Sequence, residues 1–295
     1  MGGVTEGPAH RPLPGHITAA LAAAGGSADS AGQLWQGRSL NPMQTYHNFD
    51  DDDGGTDAGY AAALAALAAG TGDEAAVVQT LATARVFVPI VAEVAEVAQS
   101  QVGGNSLMSD KESDMALVTL TAPDGRRALP VFSCTANLAR WHPQARPVAV
   151  YASRAALSAV AEDAQLLVVD PGAGQTFVAR RPGLWALARQ ERWQPSYADP
   201  QIAQVLAASL AAVAHPALLG ITAEPGSGIV SADSTGRVCA GGGAGPELRV
   251  DVALADGLDR GELDALMTDL QRLWSSDEYF AVAVDSLEVR LQAVR

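Results

Sequence analysis

The stretch SDKESDMALVTLTAPDGRRALPVFS, residues 109–133, decides the reading of the fold. It opens on four charges, Asp110, Lys111, Glu112 and Asp114, and then turns strongly apolar. In MALVTLT, Leu117, Thr119 and Thr121 fall on one face of an extended chain and Val118 and Leu120 on the other. That period-2 alternation is a strand pattern. Asp124-Gly125 behind Pro123 supplies tight-turn chemistry, and ALPVFS returns. The pattern predicts a core hairpin from Met115 to Phe132, with the charged lead-in solvated at its mouth.

A second hairpin repeats the design: QLLVVD, the turn PGAG, then QTFVAR. Working outward, AGYAAALAALAA (58–69) reads as a helix stopped by Gly70, and DEAAVVQTLATA as a helix capped by Asp73. RVFVPIVAEV reads as a strand, and Pro89 predicts that it lies at an edge or carries a bulge. Residues 98–110 read as a polar loop. Further helices are predicted at TANLARW, RAALSAVAE and RPGLWALARQ.

Residues 191–199 read as a linker, after which Asp199-Pro200 opens a helix. ALLGITAE reads as a strand, and the glycine-rich 225–246 as a loop with a small hairpin. ELRVDVAL sets Leu248, Val250, Val252 and Leu254 on one strand face. Asp259 and Glu262 form a capping box for a helix with an apolar stripe through Leu263, Leu266, Met267, Leu270, Leu273 and Trp274. SLEVRLQAV closes the chain as another alternating strand. The order α-β-loop-β-α-β describes a small sheet with helices on one face.

Bulk properties bound the function. The chain has 295 residues, 48% of them hydrophobic, so it can bury a core. Net charge is −14. Residues 1–57 carry seven acids against two arginines, and 246–295 eleven against five. No basic cluster remains, which argues against nucleic-acid binding. Lys111 is the single lysine beside 18 arginines, a bias that codon usage explains. Cys134 and Cys239 form no C-x-x-C pair and read as free thiols in a reducing cytosol. No apolar run is long enough for a membrane span, and ITAALAAAGG lacks the basic start of a signal peptide.

Candidate chemistry fails on spacing. From Asp50, an EF-hand loop would need an oxygen at Gly54 and Glu at Ala61, so Asp50–Asp53 with Asp57 reads as a solvated acidic loop. GGGAG (241–245) is followed by Pro246 and a strand, where a phosphate loop would open a helix. His10, His16, His47, His142 and His215 are not spaced as metal ligands, and no G-x-S-x-G or H-E-x-x-H occurs. Cys134, at a strand end, reads as a small half-buried hydrophobe. No catalytic, cofactor or metal residue is assigned. Asp110, Lys111, Glu112 and Asp114 remain as a candidate interaction rim, the plainer reading being a solubilising loop.

The wording KESDMALVTLTAPDGRRALPVF, then AVYASRAALSAVAEDAQLLVVDPG and FVARRPGLWALA, closely resembles the SseB family of high-GC Gram-positive bacteria, named for enhanced serine sensitivity. The resemblance covers about 58–190, the family's N-terminal domain, and the tail from about 200 is similar to its more variable C-terminal domain. It implies no catalytic residues.

The expectation is an α+β fold: a mixed, largely antiparallel sheet with packed helices, plus a second, smaller α/β sandwich. The divisions are a flexible acidic segment 1–57, an SseB-like domain 58–192 and a C-terminal domain 198–295. The leading function is a cytoplasmic, non-enzymatic module that binds a protein partner. The alternative is an enzyme or small-metabolite sensor linked to serine or amino-acid metabolism, to which only the family's name points.

Overall fold

A computed structural model describes Phe49 and residues 52–93, 114–122, 124–233 and 235–294. The chain divides into two compact units, Met1–Asp51 and Asp52–Arg295. Of the segment expected to be flexible, 1–57, only Phe49 and 52–57 fall within the described residues.

Helix α1 (Ala58–Ala69) starts where the Asp57 carboxylate accepts the Tyr60 N–H at 2.9 Å, and ends at Gly70 in the left-handed region, φ +72°. Helix α2 (Glu74–Thr83) is capped by Asp73 through the Ala76 N–H. The chain continues through β1 (Arg85–Glu93), β2 (Asp114–Leu117), β3 (Leu120–Thr121), β4 (Arg127–Val131), α3 (Thr135–Trp141), β5 (Arg146–Tyr151), α4 (Ala152–Ala161), β6 (Leu166–Val169), β7 (Phe177–Ala179) and α5 (Arg181–Arg189). After a 3₁₀ turn at Ser196–Ala198 come α6 (Pro200–Val213), β8 (Leu218–Pro225), β9 (Val230–Ala232), β10 (Val238–Ala240), β11 (Leu248–Ala255), α7 (Arg260–Ser276), α8 (Glu278–Ala283) and β12 (Leu287–Val294). The fold is α+β. Strands pair in the orders β2-β1-β5, β3-β4-β6-β7 and β12-β11-β8, with β9–β10 a separate hairpin. Only β4–β6 and β11–β12 are parallel among these pairs.

Two expectations are corrected. The hairpin from Met115 to Phe132 is not continuous. β2 pairs with β1 (Ile90 opposite Leu117), and only Leu120–Thr121 pair with β4, across the turn where the Gly125 N–H donates to Ala122 O. The reason is that β4 leans on β1. Phe87 and Phe132 exchange both backbone hydrogen bonds, at 2.7 and 2.9 Å. The chain therefore steps from one sheet to the other at Val118–Thr119.

Pro89 also lies in a central strand, not an edge strand, and the pairing on β5 shows no bulge. Because the Phe87 amide and carbonyl turn toward Phe132, alternation turns those of position 89 to the same side, away from β5. β2 pairing begins only at Ile90, so no ladder bond is lost at Pro89. Its partner on β5 is Pro147.

Two main cores result. The first gathers Tyr60, Leu67, Val77 and Leu81 from α1 and α2 against Leu129, Val131 and Leu167 of the sheet and Leu184 and Leu187 of α5. The second packs Ile202 and Leu206 of α6 and Leu266, Leu270 and Trp274 of α7 on Val250 and Val252 of β11. The helices cover one face of the C-terminal sheet, as the α-β-loop-β-α-β order predicts. A smaller cluster, Phe87, Phe132 and Leu138, sits under α3.

Candidate functional site

The carboxyl ends of a parallel strand pair are a common place for chemistry in α/β sheets. Here β4 and β6 run out into Ser133 and Asp170. The Ser133 N–H donates to Asp170 Oδ1 at 2.8 Å and its hydroxyl to Oδ2 at 2.5 Å. Both residues are buried. Asp170 has φ +55°, a left-handed conformation that this pair of bonds helps to hold. Thr56 Oγ1 lies 3.0 Å from the Ser133 hydroxyl.

Over this pair lies the run DDGGTD, residues 52–57. Asp52 binds Arg85 through both carboxylate oxygens, each at 2.7 Å. Arg85 also donates to Ser133 O and Gly55 O, and its guanidinium lies over the Phe87 ring at 4.1 Å. The hydrogen bonds from Arg85 hold the Asp52 carboxyl below its usual range. Asp53 accepts from the Gly55 N–H, and Gly54 O accepts from the Thr135 N–H. Of the run expected to be a solvated acidic loop, Asp50 and Asp51 lie outside the described residues, while Asp52, Asp53 and Asp57 are exposed and each also accepts a hydrogen bond from the chain, so that the solvated run doubles as a clasp. Chain folding, not spacing along the sequence, brings Arg85 to it.

A second polar cluster joins the two main cores. Glu74 and Arg180, both 1% exposed, form an ion pair at 2.7 Å. Glu74 also accepts from the Gly242 N–H at 2.9 Å and the Tyr197 hydroxyl at 3.0 Å, and Arg180 donates to Gly243 O at 2.7 Å. Burial, then the Glu74 charge, pushes the Tyr197 phenol up. Gly242 has φ +75°, and a side chain there would press on Phe177. The glycine run therefore wraps an ion pair of its own chain. Nearby, buried Glu247 accepts from the amides of Ser196 and Asp285, and desolvation raises its pKa. Arg126 of the β3–β4 turn binds Asp285 at 2.7 Å and donates to Ala244 O.

Nucleophilic activation of a serine needs a base oriented by a third group. Ser133 instead donates to a carboxylate that also holds its own amide. Of the described histidines, His215 Nδ1 accepts from the Ala217 N–H and His142 Nδ1 is buried without a partner. Neither meets a serine or a carboxylate. No three His, Cys, Asp or Glu side chains among the described residues converge on a metal position. Cys134 and Cys239 are free thiols, half-buried and buried. A 440 Å³ pocket is lined by Arg192, Trp193, Asp199 and Tyr279 among others. There the Tyr279 hydroxyl donates to Asp199 at 2.6 Å, and that bond pushes the phenol up to about 12.

Of the candidate rim, Asp110, Lys111 and Glu112 lie outside the described residues. Asp114 opens β2, in register with Glu93 at the end of β1. Glu74, Arg85, Ser133, Asp170, Arg180 and Glu247 were not found from the sequence, and Asp52 was read only as part of the solvated acidic run. Single polar residues flanking strands carry no periodic signal. The one available clue was the acidic run that fits no calcium loop.

Residues 61–186, from within α1 to within α5, match the family model described as the SseB protein N-terminal domain. The chain carries an SseB N-terminal domain. The match takes in the β2-β1-β5 and β3-β4-β6-β7 sheets, the Ser133–Asp170 pair and both Glu74 and Arg180. The SseB domain thus holds the ion pair, while the backbone that completes it comes from 242–243, beyond the matched stretch. No curated protein and no solved structure matches the chain. No helix among the described residues is long and apolar enough to cross a membrane.

Proposed function

We propose that this SseB-domain protein is a cytosolic, non-enzymatic interaction module that docks a protein partner on β5 and α4. The observation that carries the reading is an exposed apolar surface on that one strand–helix unit. Val148, Tyr151, Leu157 and Val160 are 41%, 42%, 47% and 38% exposed. Such surface on a folded chain marks contact sites more often than chance. β5 has no strand on its outer side among the described residues. Pro147 supplies no amide to that edge, so recognition goes through side chains rather than a backbone ladder. The charged lead-in Asp110, Lys111, Glu112 and Asp114, which in the sequence runs into β2 of the same sheet, serves as the rim. The acidic charge makes a nucleic-acid partner unfavourable.

A second reading, an enzyme or small-metabolite sensor linked to amino-acid metabolism, is favoured by the pocket at Arg192, Trp193, Asp199 and Tyr279, where polar groups converge. One comparison separates the two. The full chain is used as bait in its source cells beside two variants, Val148→Ser/Leu157→Ser and Lys111→Ala/Glu112→Ala/Asp114→Ala, each checked for unchanged melting. Loss of the same partner from both variants is expected. An unchanged partner set, with an amino acid that raises the melting temperature, would transfer support to the sensor reading.

A further inference from the structure

β12 is an edge strand, with no described strand paired on its outer side. It pairs parallel with β11, and Ser286 O accepts from the Leu248 N–H at 3.0 Å. The backbone groups of 286 therefore point at β11. By alternation those of 288, 290 and 292 do so too, and those of Leu287, Val289, Leu291 and Ala293 point outward. No proline interrupts this edge, unlike that of β5. Leu287 and Leu291 are 37% and 45% exposed on the face that the helices cover. Beside Leu287 opens a 340 Å³ groove floored by Trp274, Phe280 and Val284.

We infer that the occupant of this edge is a second copy of the chain, paired antiparallel about a two-fold axis at Val289. The sequence LEVRLQAV is self-complementary in that register alone among those near its centre. Glu288 then faces Arg290 of the second copy, and Leu287 faces its Leu291, with each contact repeated by symmetry. A two-fold at Glu288 or Arg290 sets like charges face to face, which destabilises a strand pair. A two-fold at Leu291 leaves both charges unmatched, and an axis between residues opposes outward to inward backbone groups. In the Val289 register, Glu288 and Arg290 fall at the non-hydrogen-bonded positions, where strands approach most closely. Arg290 is exposed and has no ion pair among the described residues, so it is available. Glu288, bound to the Ser227 amide and hydroxyl at 2.8 and 2.7 Å, is already held in place. The two sheets join into one of six strands, with both sets of helices on the same side and both leucine pairs covered.

Sedimentation velocity on the full chain tests this, with cross-linking to read the register. The expected mass is twice the 30.3 kDa of one chain. Arg290→Glu sets acid against acid twice and is expected to return the chain to monomer, and Glu288→Arg/Arg290→Glu to restore the dimer. In a Cys134→Ser background, Val289→Cys is expected to cross-link on mild oxidation, because directly paired strand positions lie within disulfide range. Leu291→Cys, which meets Leu287 instead of its own copy, is expected not to. A monomer at every concentration would overturn the inference. So would a dimer indifferent to Arg290→Glu, or cross-linking through Leu291→Cys but not Val289→Cys. A monomer with slowly exchanging outward amides on β12 would assign the edge to another segment of the same chain, and would equally overturn it.

Discussion

Asp52, Asp53 and Asp57 stand in one acidic run, yet each carboxylate meets a different donor: the Arg85 guanidinium, the Gly55 amide and the Tyr60 amide. Of these, Asp52 is the one whose loss strands a charge, because Arg85 is only 9% exposed. Asp52→Asn is expected to cost about 1.5–3 kcal/mol, the usual range for hydrogen bonds to a charged group. The pH dependence follows from the direction of the shift. A carboxyl depressed in the folded state contributes stability that is present above its unfolded pKa, about 3.9, and lost as pH falls through the lower folded value. Acid should therefore loosen residues 52–56, read as faster amide exchange at Gly55 and Thr56, and Asp52→Asn should show that faster exchange already at neutral pH and no further change on acidification. Glu247 has the opposite sign. Its raised pKa means that its charge opposes folding at neutral pH, and protonation on acidification relieves this.

At the scale of elements, periodic signals were legible and pairing partners were not. The capping box at Asp259 and Glu262 is present in full, with the Glu262 N–H donating to Asp259 at 2.9 Å and the Asp259 N–H to Glu262 at 3.0 Å. Asp259→Ala is expected to lower stability by about 1 kcal/mol in a urea melt. The Leu248–Leu254 alternation likewise gave the buried face of β11. What local pattern does not encode is which strand a segment joins. Residues 115–121 alternate without interruption, yet they divide between two sheets because Phe87 and Phe132 bind β4 to β1 across 45 residues of sequence. The division moves the energetic weight along the hairpin. Leu129, 1% exposed, is expected to cost about 2–5 kcal/mol when cut to alanine, and half-buried Leu120 clearly less. Equal costs would mean that the step at Val118–Thr119 is absent in solution. The candidate site was hardest to read for a related reason: Ser133 with Asp170, and Glu74 with Arg180, are pairs brought together only by the completed topology.

At the scale of the whole molecule, we propose that 58–192 and 198–295 are separable folding units joined by a polar seam. Fragments cut there are expected to give folded circular-dichroism spectra, and each to melt below the full chain. The cut removes the Gly242, Gly243 and Tyr197 bonds to the Glu74–Arg180 pair, and the grip of Arg126 on Asp285. Starting the first fragment at residue 52 is expected to raise its melting temperature by restoring Asp52 to Arg85. If neither fragment folds, the two cores form one inseparable unit.

The reading as a binding protein depends on the buried charges being fasteners rather than a reaction centre, and the two roles respond oppositely to removal. Groups kept for chemistry are often a burden on stability, so replacing them leaves a fold as stable or more so. A fastener fails when one partner is neutralised, because the other charge stays buried alone, at about 3–5 kcal/mol. The most direct measurement is the melting temperature of Glu74→Gln in the full chain, a change that keeps shape and removes charge beside Arg180. A fall of roughly 10 °C is predicted, taking about 2–4 °C per kcal/mol for a folded unit of this size. A melting temperature equal to or above that of the parent chain would contradict the account, and would mark Glu74 and Arg180 as groups retained for chemistry.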